Sequence, residues 1–185
     1  TQSVENITGA GTINWDNGNA GGTLGLGGST ASAVNYHYKH VTITTTPITL
    51  SGTFYDLTVP ALHTLNLGNN LTVINELTNN GTIALGDSNY VLSFDTYTEG
   101  AGSAITVGNG SITSTAAAGP AQTVSRVTFT NTRTTTINGG TGGLTIGVTT
   151  YNGTGLITTG EVSLPTGTIA SLNVQSGTAT VSGNL

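Results

Sequence analysis

Apolar and polar residues alternate along most of the chain. Val41-Thr42-Ile43, Ile48-Thr49-Leu50, Leu57-Thr58-Val59, Leu65-Asn66-Leu67, Leu71-Thr72-Val73 and Ile83-Ala84-Leu85 each set two apolar side chains around a small or polar one. Val127-Thr128-Phe129, Leu144-Thr145-Ile146, Val162-Ser163-Leu164, Leu172-Asn173-Val174 and Ala179-Thr180-Val181 continue the pattern. Successive side chains of a strand point to opposite faces. Each triplet therefore predicts a short strand with two residues facing inward and one facing out.

Gly, Asn and Ser separate the triplets. Asn-Gly pairs at Asn17, Asn80, Asn109, Asn138 and Asn152 suit either two-residue hairpins or the corners of a coil. Leu65, Leu71, Leu77 and Ile83 lie six residues apart, a rhythm expected where a coiled chain keeps returning apolar residues to an inward position. This predicts an all-β chain whose residues 31–185 form a parallel β-helix (β-solenoid). The alternative is an antiparallel jelly-roll β-sandwich completed by donor-strand exchange.

Residues 1–30 read differently. Val4, Ile7, Ile13 and Trp15 mark one or two strands, followed by a Gly-rich stretch that predicts flexibility. Strand-like sequence also continues to the C-terminus. Open strand edges template pairing with another chain, so the expectation is a subunit that joins copies of itself by β-strand addition. Val4, Ile7, Ile13 and Trp15 would form the assembly strand.

One stretch resembles a known architecture. Phe54-Tyr55-Asp56-Leu57-Thr58-Val59, Leu65-Asn66-Leu67-Gly68-Asn69-Asn70-Leu71-Thr72-Val73 and Leu77-Thr78-Asn79-Asn80-Gly81-Thr82-Ile83 are similar to rungs of large bacterial and archaeal surface proteins with parallel β-helices. Haemagglutinin-like and autotransporter-type adhesins are of this kind. The resemblance implies a secreted, right-handed parallel β-helix with an adhesive or scaffold role. Those proteins are usually much longer than 185 residues.

Composition narrows the function. Charged residues make up 6% of the chain, against roughly 25% in ordinary domains, and Thr outnumbers even the 28 Gly. The surface must be polar without being ionic. Three Lys and Arg in a chain of net charge −5 exclude a nucleic-acid surface. No apolar run approaches a membrane span. Scarce Lys, a Thr at position 1 and sequons at Asn6, Asn70, Asn80, Asn109 and Asn152 predict an extracellular, cell-surface glycoprotein. With no Cys, no disulfide staples it.

Chemistry is sparse. In Tyr36-His37-Tyr38-Lys39-His40, read as one strand, the two histidines face opposite ways, and His63 is remote; a metal centre needs convergent ligands. Asp95 and Glu99 stand four apart and could flank a sugar, but Arg126 and Arg133 have no acid nearby in sequence. Asp16-Asn17-Gly18-Asn19 and Asp87-Ser88-Asn89 offer oxygen ligands for calcium without the distant bidentate acid of a full loop; Asx turns explain them more simply. Residues 21–28 lack the Lys of a phosphate loop. The Thr tracts at 42–44, 128–130 and 134–136 resemble the ice-binding rows of some β-solenoids, yet follow no single spacing and are read as outward strand positions. The expectation is a filament or surface-layer subunit with no catalytic residues and no cofactor, its partners being its own copies and surface glycans. The alternative is an adhesin or carbohydrate-binding module, for which Trp15, Tyr36, Tyr38, Tyr55, Tyr90, Tyr97 and Tyr151 are the available aromatics.

Overall fold

The computed structural model describes residues 2–4, 13–15, 23–26, 34–36, 40–117, 119–166 and 172–181. It is an all-β parallel β-helix with no helix among these residues. The strands join in one continuous sheet, and every pairing is parallel. A sandwich of hairpins would require antiparallel pairs, so the Asn-Gly dipeptides at Asn80, Asn109, Asn138 and Asn152 turn corners rather than close hairpins.

Each coil has three sides. The first carries 48–50, 64–67, 82–84, 104–107, 127–129 and 148–151, stacked in that order. The second carries 34–36, 52–54, 71–73, 91–94, 111–114, 135–138, 156–159 and 172–174. The third carries 40–43, 57–59, 76–79 and 96–99, and resumes at 122–124, 144–146, 162–164 and 179–181.

The six-residue rhythm measures one side, not a whole coil. Leu65, Leu71 and Leu77 occupy the three sides of one turn, and Ile83 returns beneath Leu65. The core is a set of inward columns. Ile48, Leu65, Ile83, Ile105, Val127 and Val148 stack on the first side, and Leu71, Leu92, Ile112 and Ile137 on the second. All are buried in one cluster. Each such side chain contributes roughly 1.5–3 kcal/mol of burial, so β-branched and leucine residues recur there and charge does not.

The corners need small residues. Gly140, Gly160 and Gly177 stack at one corner with φ of 59°, 69° and 73°. A Cβ on Gly160 would collide with the Gly140 carbonyl, and one on Gly177 with that of Gly160. Only Gly supplies both the left-handed backbone and the close approach.

The N-terminal strands belong to the same stack. Gln2–Val4 pairs with Thr23–Leu26, which pairs with His40–Ile43; Ile13–Trp15 pairs with Val34–Tyr36. Val4, Ile13 and Trp15 thus extend the sides of this chain's own coil. Ile7 lies outside the described residues.

Candidate functional surfaces

The outward positions form continuous rows. On the second side Thr53, Thr72, Ser93, Thr113, Asn138 and Thr159 are register neighbours. On the first, Thr49, Asn66, Ala84, Thr106, Thr128 and Thr150 align. On the third, Thr42, Thr58, Thr78 and Thr98 form one hydroxyl row, and Thr123, Thr145, Ser163 and Thr180 another. Sequence spacing hid these rows because coil length varies: Leu57 to Leu77 is 20 residues, Ile112 to Ile137 is 25, and Leu156 to Leu172 is 16.

The acids act as acceptors within the fold. Asp56 accepts from Asn75 Nδ2 at 2.6 Å and from the Glu76 amide at 3.1 Å, and Glu76 accepts the Thr98 hydroxyl at 2.8 Å. Asp95 and Glu99 do not converge on a shared cleft. Asp95 lies at the corner between the second and third sides, 3.4 Å from the Thr96 hydroxyl. Glu99 takes the register position beneath Asn79 and Val59, and both its oxygens accept from the Ser125 amide at 3.1 Å.

That contact belongs to a seam in the third side. No strand pairing joins 96–99 to 122–125, and side chains bridge the two instead. Gln122 Oε1 accepts from the Tyr97 amide at 2.8 Å. Arg126 donates to the carbonyls of Ser103 at 2.6 Å and Gly100 at 2.8 Å. Tyr97 is buried here and receives a bond from Asn79 Nδ2 at 3.0 Å. Burial pushes its phenol up to about 12. Nothing in the alternation signals this seam except the run Thr115-Ala116-Ala117-Ala118-Gly119-Pro120-Ala121, which has no large apolar side chain.

The aromatic residues do not form an outer row among the described residues. Tyr97 is buried, and Tyr151 packs on Phe129 at 5.6 Å between ring centroids. Tyr55 stands at a corner, 36% exposed. Trp15 and Tyr36 share a register column with Phe54, and Tyr38 lies outside the described residues. Tyr36 and His40 belong to different strands on different sides, so the two ends of the motif do not share one strand.

The sequons divide. Asn70 and Asn152 are exposed at corners and Asn80 is half-buried. Asn109 holds its corner: Nδ2 donates to the Asp87 carbonyl at 3.0 Å, and Oδ1 accepts from the amides of Thr132 at 3.0 Å and Arg133 at 3.1 Å. Asn6 lies outside the described residues, as does Asp16-Asn17-Gly18-Asn19. Asp87-Ser88-Asn89 is an exposed corner loop. Among the described residues no group of three or more His, Cys, Asp or Glu gathers as metal ligands, and no helix is long and apolar enough to cross a membrane.

Below the seam the third side carries a cleft of about 130 Å³. Ala121 and Gly143 form its shallow inner wall, Thr145 and Ser163 its row of hydroxyls, and Glu161 and Thr178 its lower rim. Neither the cleft nor its residues stood out in the sequence, because register alone brings four coils together there. Comparison with protein-family models, curated proteins and solved structures finds no match to this chain.

Proposed function

We propose that this chain is a structural subunit of an extracellular filament or surface layer, assembled end to end by β-strand addition and free of catalytic activity. The observation that carries the reading is the coil-to-coil contact, a head-to-tail parallel pairing repeated along one axis. Such a contact is heterologous and does not close on itself, so the same pairing between copies extends a stack without limit. Neutral hydroxyl and amide rows on all three sides keep the stack's flanks hydrated with little charge. Asp56, Glu76 and Glu99 accept hydrogen bonds from the fold itself, which suits a scaffold role better than acid–base work. Surface glycosylation at exposed Asn70 and Asn152 fits the same setting. Negative-stain microscopy over a range of concentrations tests the proposal. Rods that lengthen with concentration, at constant width, are expected. A monodisperse monomer at high concentration would sink it.

A further inference from the structure

The cleft below the seam differs from the coils above it on the same side. On the third side the row beside the hydroxyl ladder carries Asp56, Glu76 and Thr96 in the upper coils. In the next two coils it carries Ala121 and Gly143, which leave a hollow. Gly143 is required by its φ of 87°, and a Cβ there would press on Ala121 Cβ at 3.2 Å. Ala116 and Ala117 are fixed to the coil below by the Gly142 amide donating to the Ala116 carbonyl at 3.0 Å and the Thr141 hydroxyl donating to the Ala117 carbonyl at 2.7 Å. The hollow is therefore built into the coil.

Its chemistry selects a ligand class. The Thr145, Ser163 and Thr178 hydroxyls each donate and accept. The exposed Glu161 carboxylate only accepts and is the one charge in the lining. Arg126 is committed to the Gly100 and Ser103 carbonyls. A ligand rich in donors, without negative charge and with an apolar edge to set against Ala121 and the threonine methyls, matches this lining. We infer that the cleft binds one ring of a neutral saccharide, with Glu161 accepting from adjacent ring hydroxyls. A volume of about 130 Å³ equals roughly four waters, so the rest of the sugar chain lies along the hydroxyl row. With no aromatic platform, single-site binding is weak, and filament assembly would multiply it. The cleft lies within one chain, so this holds whether or not the chain polymerises.

The test is an amide NMR titration of the whole chain with a neutral glucose trimer and, separately, a galacturonic acid trimer. The neutral trimer is expected to shift Thr145, Glu161, Ser163 and Thr178 with a millimolar dissociation constant, and the acidic trimer to shift none of them. Glu161→Ala should weaken binding about 10-fold and Ser163→Trp abolish it, while Thr58→Trp, on the same side above the seam, leaves it unchanged. Circular dichroism checks that each variant keeps the wild-type melt. Absence of shifts with the neutral trimer, equal binding of the acidic trimer, or shifts indifferent to Glu161→Ala and Ser163→Trp would each overturn the inference. Failure to form rods leaves it intact, so the two proposals fail separately.

Discussion

Leu62 sits at φ 65° and is 94% exposed. The left-handed region costs a side chain with a Cβ about 1–2 kcal/mol, and an exposed leucine recovers little of this by packing. Asn tolerates that conformation through local hydrogen bonding. Leu62→Asn is expected to raise stability by roughly 0.5–1 kcal/mol, read as a higher urea midpoint at unchanged slope; a loss would mean Leu62 makes a contact that matters. Two glycines give the opposite lesson about space. A Cβ on Gly81 would meet the His63 and Pro60 carbonyls, whereas one on Gly102 meets nothing within 4 Å. Gly81→Ala should cost roughly 1–3 kcal/mol, and Gly102→Ala should add roughly 0.4–1 kcal/mol. Tyr97 links one residue to pH. Burial raises its phenol from 10.0 to about 12, the Asn79 hydrogen bond opposes the rise and the nearby Glu99 charge adds to it. Folding thus favours the neutral phenol. Its stabilisation is complete below pH 10 and drains away as pH climbs from 10 to 12, a total of roughly 2–3 kcal/mol. Urea titrations at pH 8, 10 and 11.5 should show that loss, and Tyr97→Phe should remove most of it. Burial also raises Tyr151, which leaves a smaller residual slope.

At the scale of elements, the seam is where side chains stand in for a ladder. Glu99→Gln replaces a carboxylate that accepts from the Ser125 amide with a neutral group that has one acceptor oxygen. A cost of roughly 1–2 kcal/mol is expected, with faster hydrogen exchange at Ser125 and Tyr97 and little change at Leu71 or Leu92. Uniform acceleration along the chain would show that the seam is not a local unit. The same region explains what could be read in advance. Strand positions were legible because Leu57-Thr58-Val59 and its kin alternate over a period of two. The coil was legible because Leu65, Leu71, Leu77 and Ile83 keep a constant side length. The Thr rows were not, since corner loops of different length, such as 108–110 and 130–134, shift each outward residue by an amount that only pairing reveals. Glu99 shows in the sequence only as an acid four residues from Asp95, because nothing local marks a register position beneath Asn79. The 145/163/178 cleft was invisible for the same reason: its residues are distant in sequence and individually ordinary.

At the scale of the molecule, a coil is the unit that can be added or removed. Stability in such stacks is close to a sum of nearest-neighbour terms, so losing one whole coil should lower it without destroying the fold. Residues 64–81 form such a coil: Thr64 and Thr82 are register partners, and the Thr82 amide already donates to the His63 carbonyl at 2.9 Å. Deleting 64–81 would join His63 to Thr82 and seat 83–85 beneath 48–50, 92–94 beneath 52–54 and 97–99 beneath 57–59. Every inward residue would stay inward. This variant is expected to fold, to melt cooperatively at a lower temperature than the parent, and to shorten by one strand spacing of roughly 4.8 Å in X-ray scattering. Deleting only 65–70 removes fewer apolar residues but takes away one side of a three-sided turn. The remaining chain cannot circle the core, and Leu71 is pulled out of the second side's column. That smaller deletion should be the more damaging, giving loss of cooperative melting or aggregation. The reverse ranking, with the six-residue deletion folded and the full-coil deletion unfolded, would mean that the coil is not closed by three sides of this register.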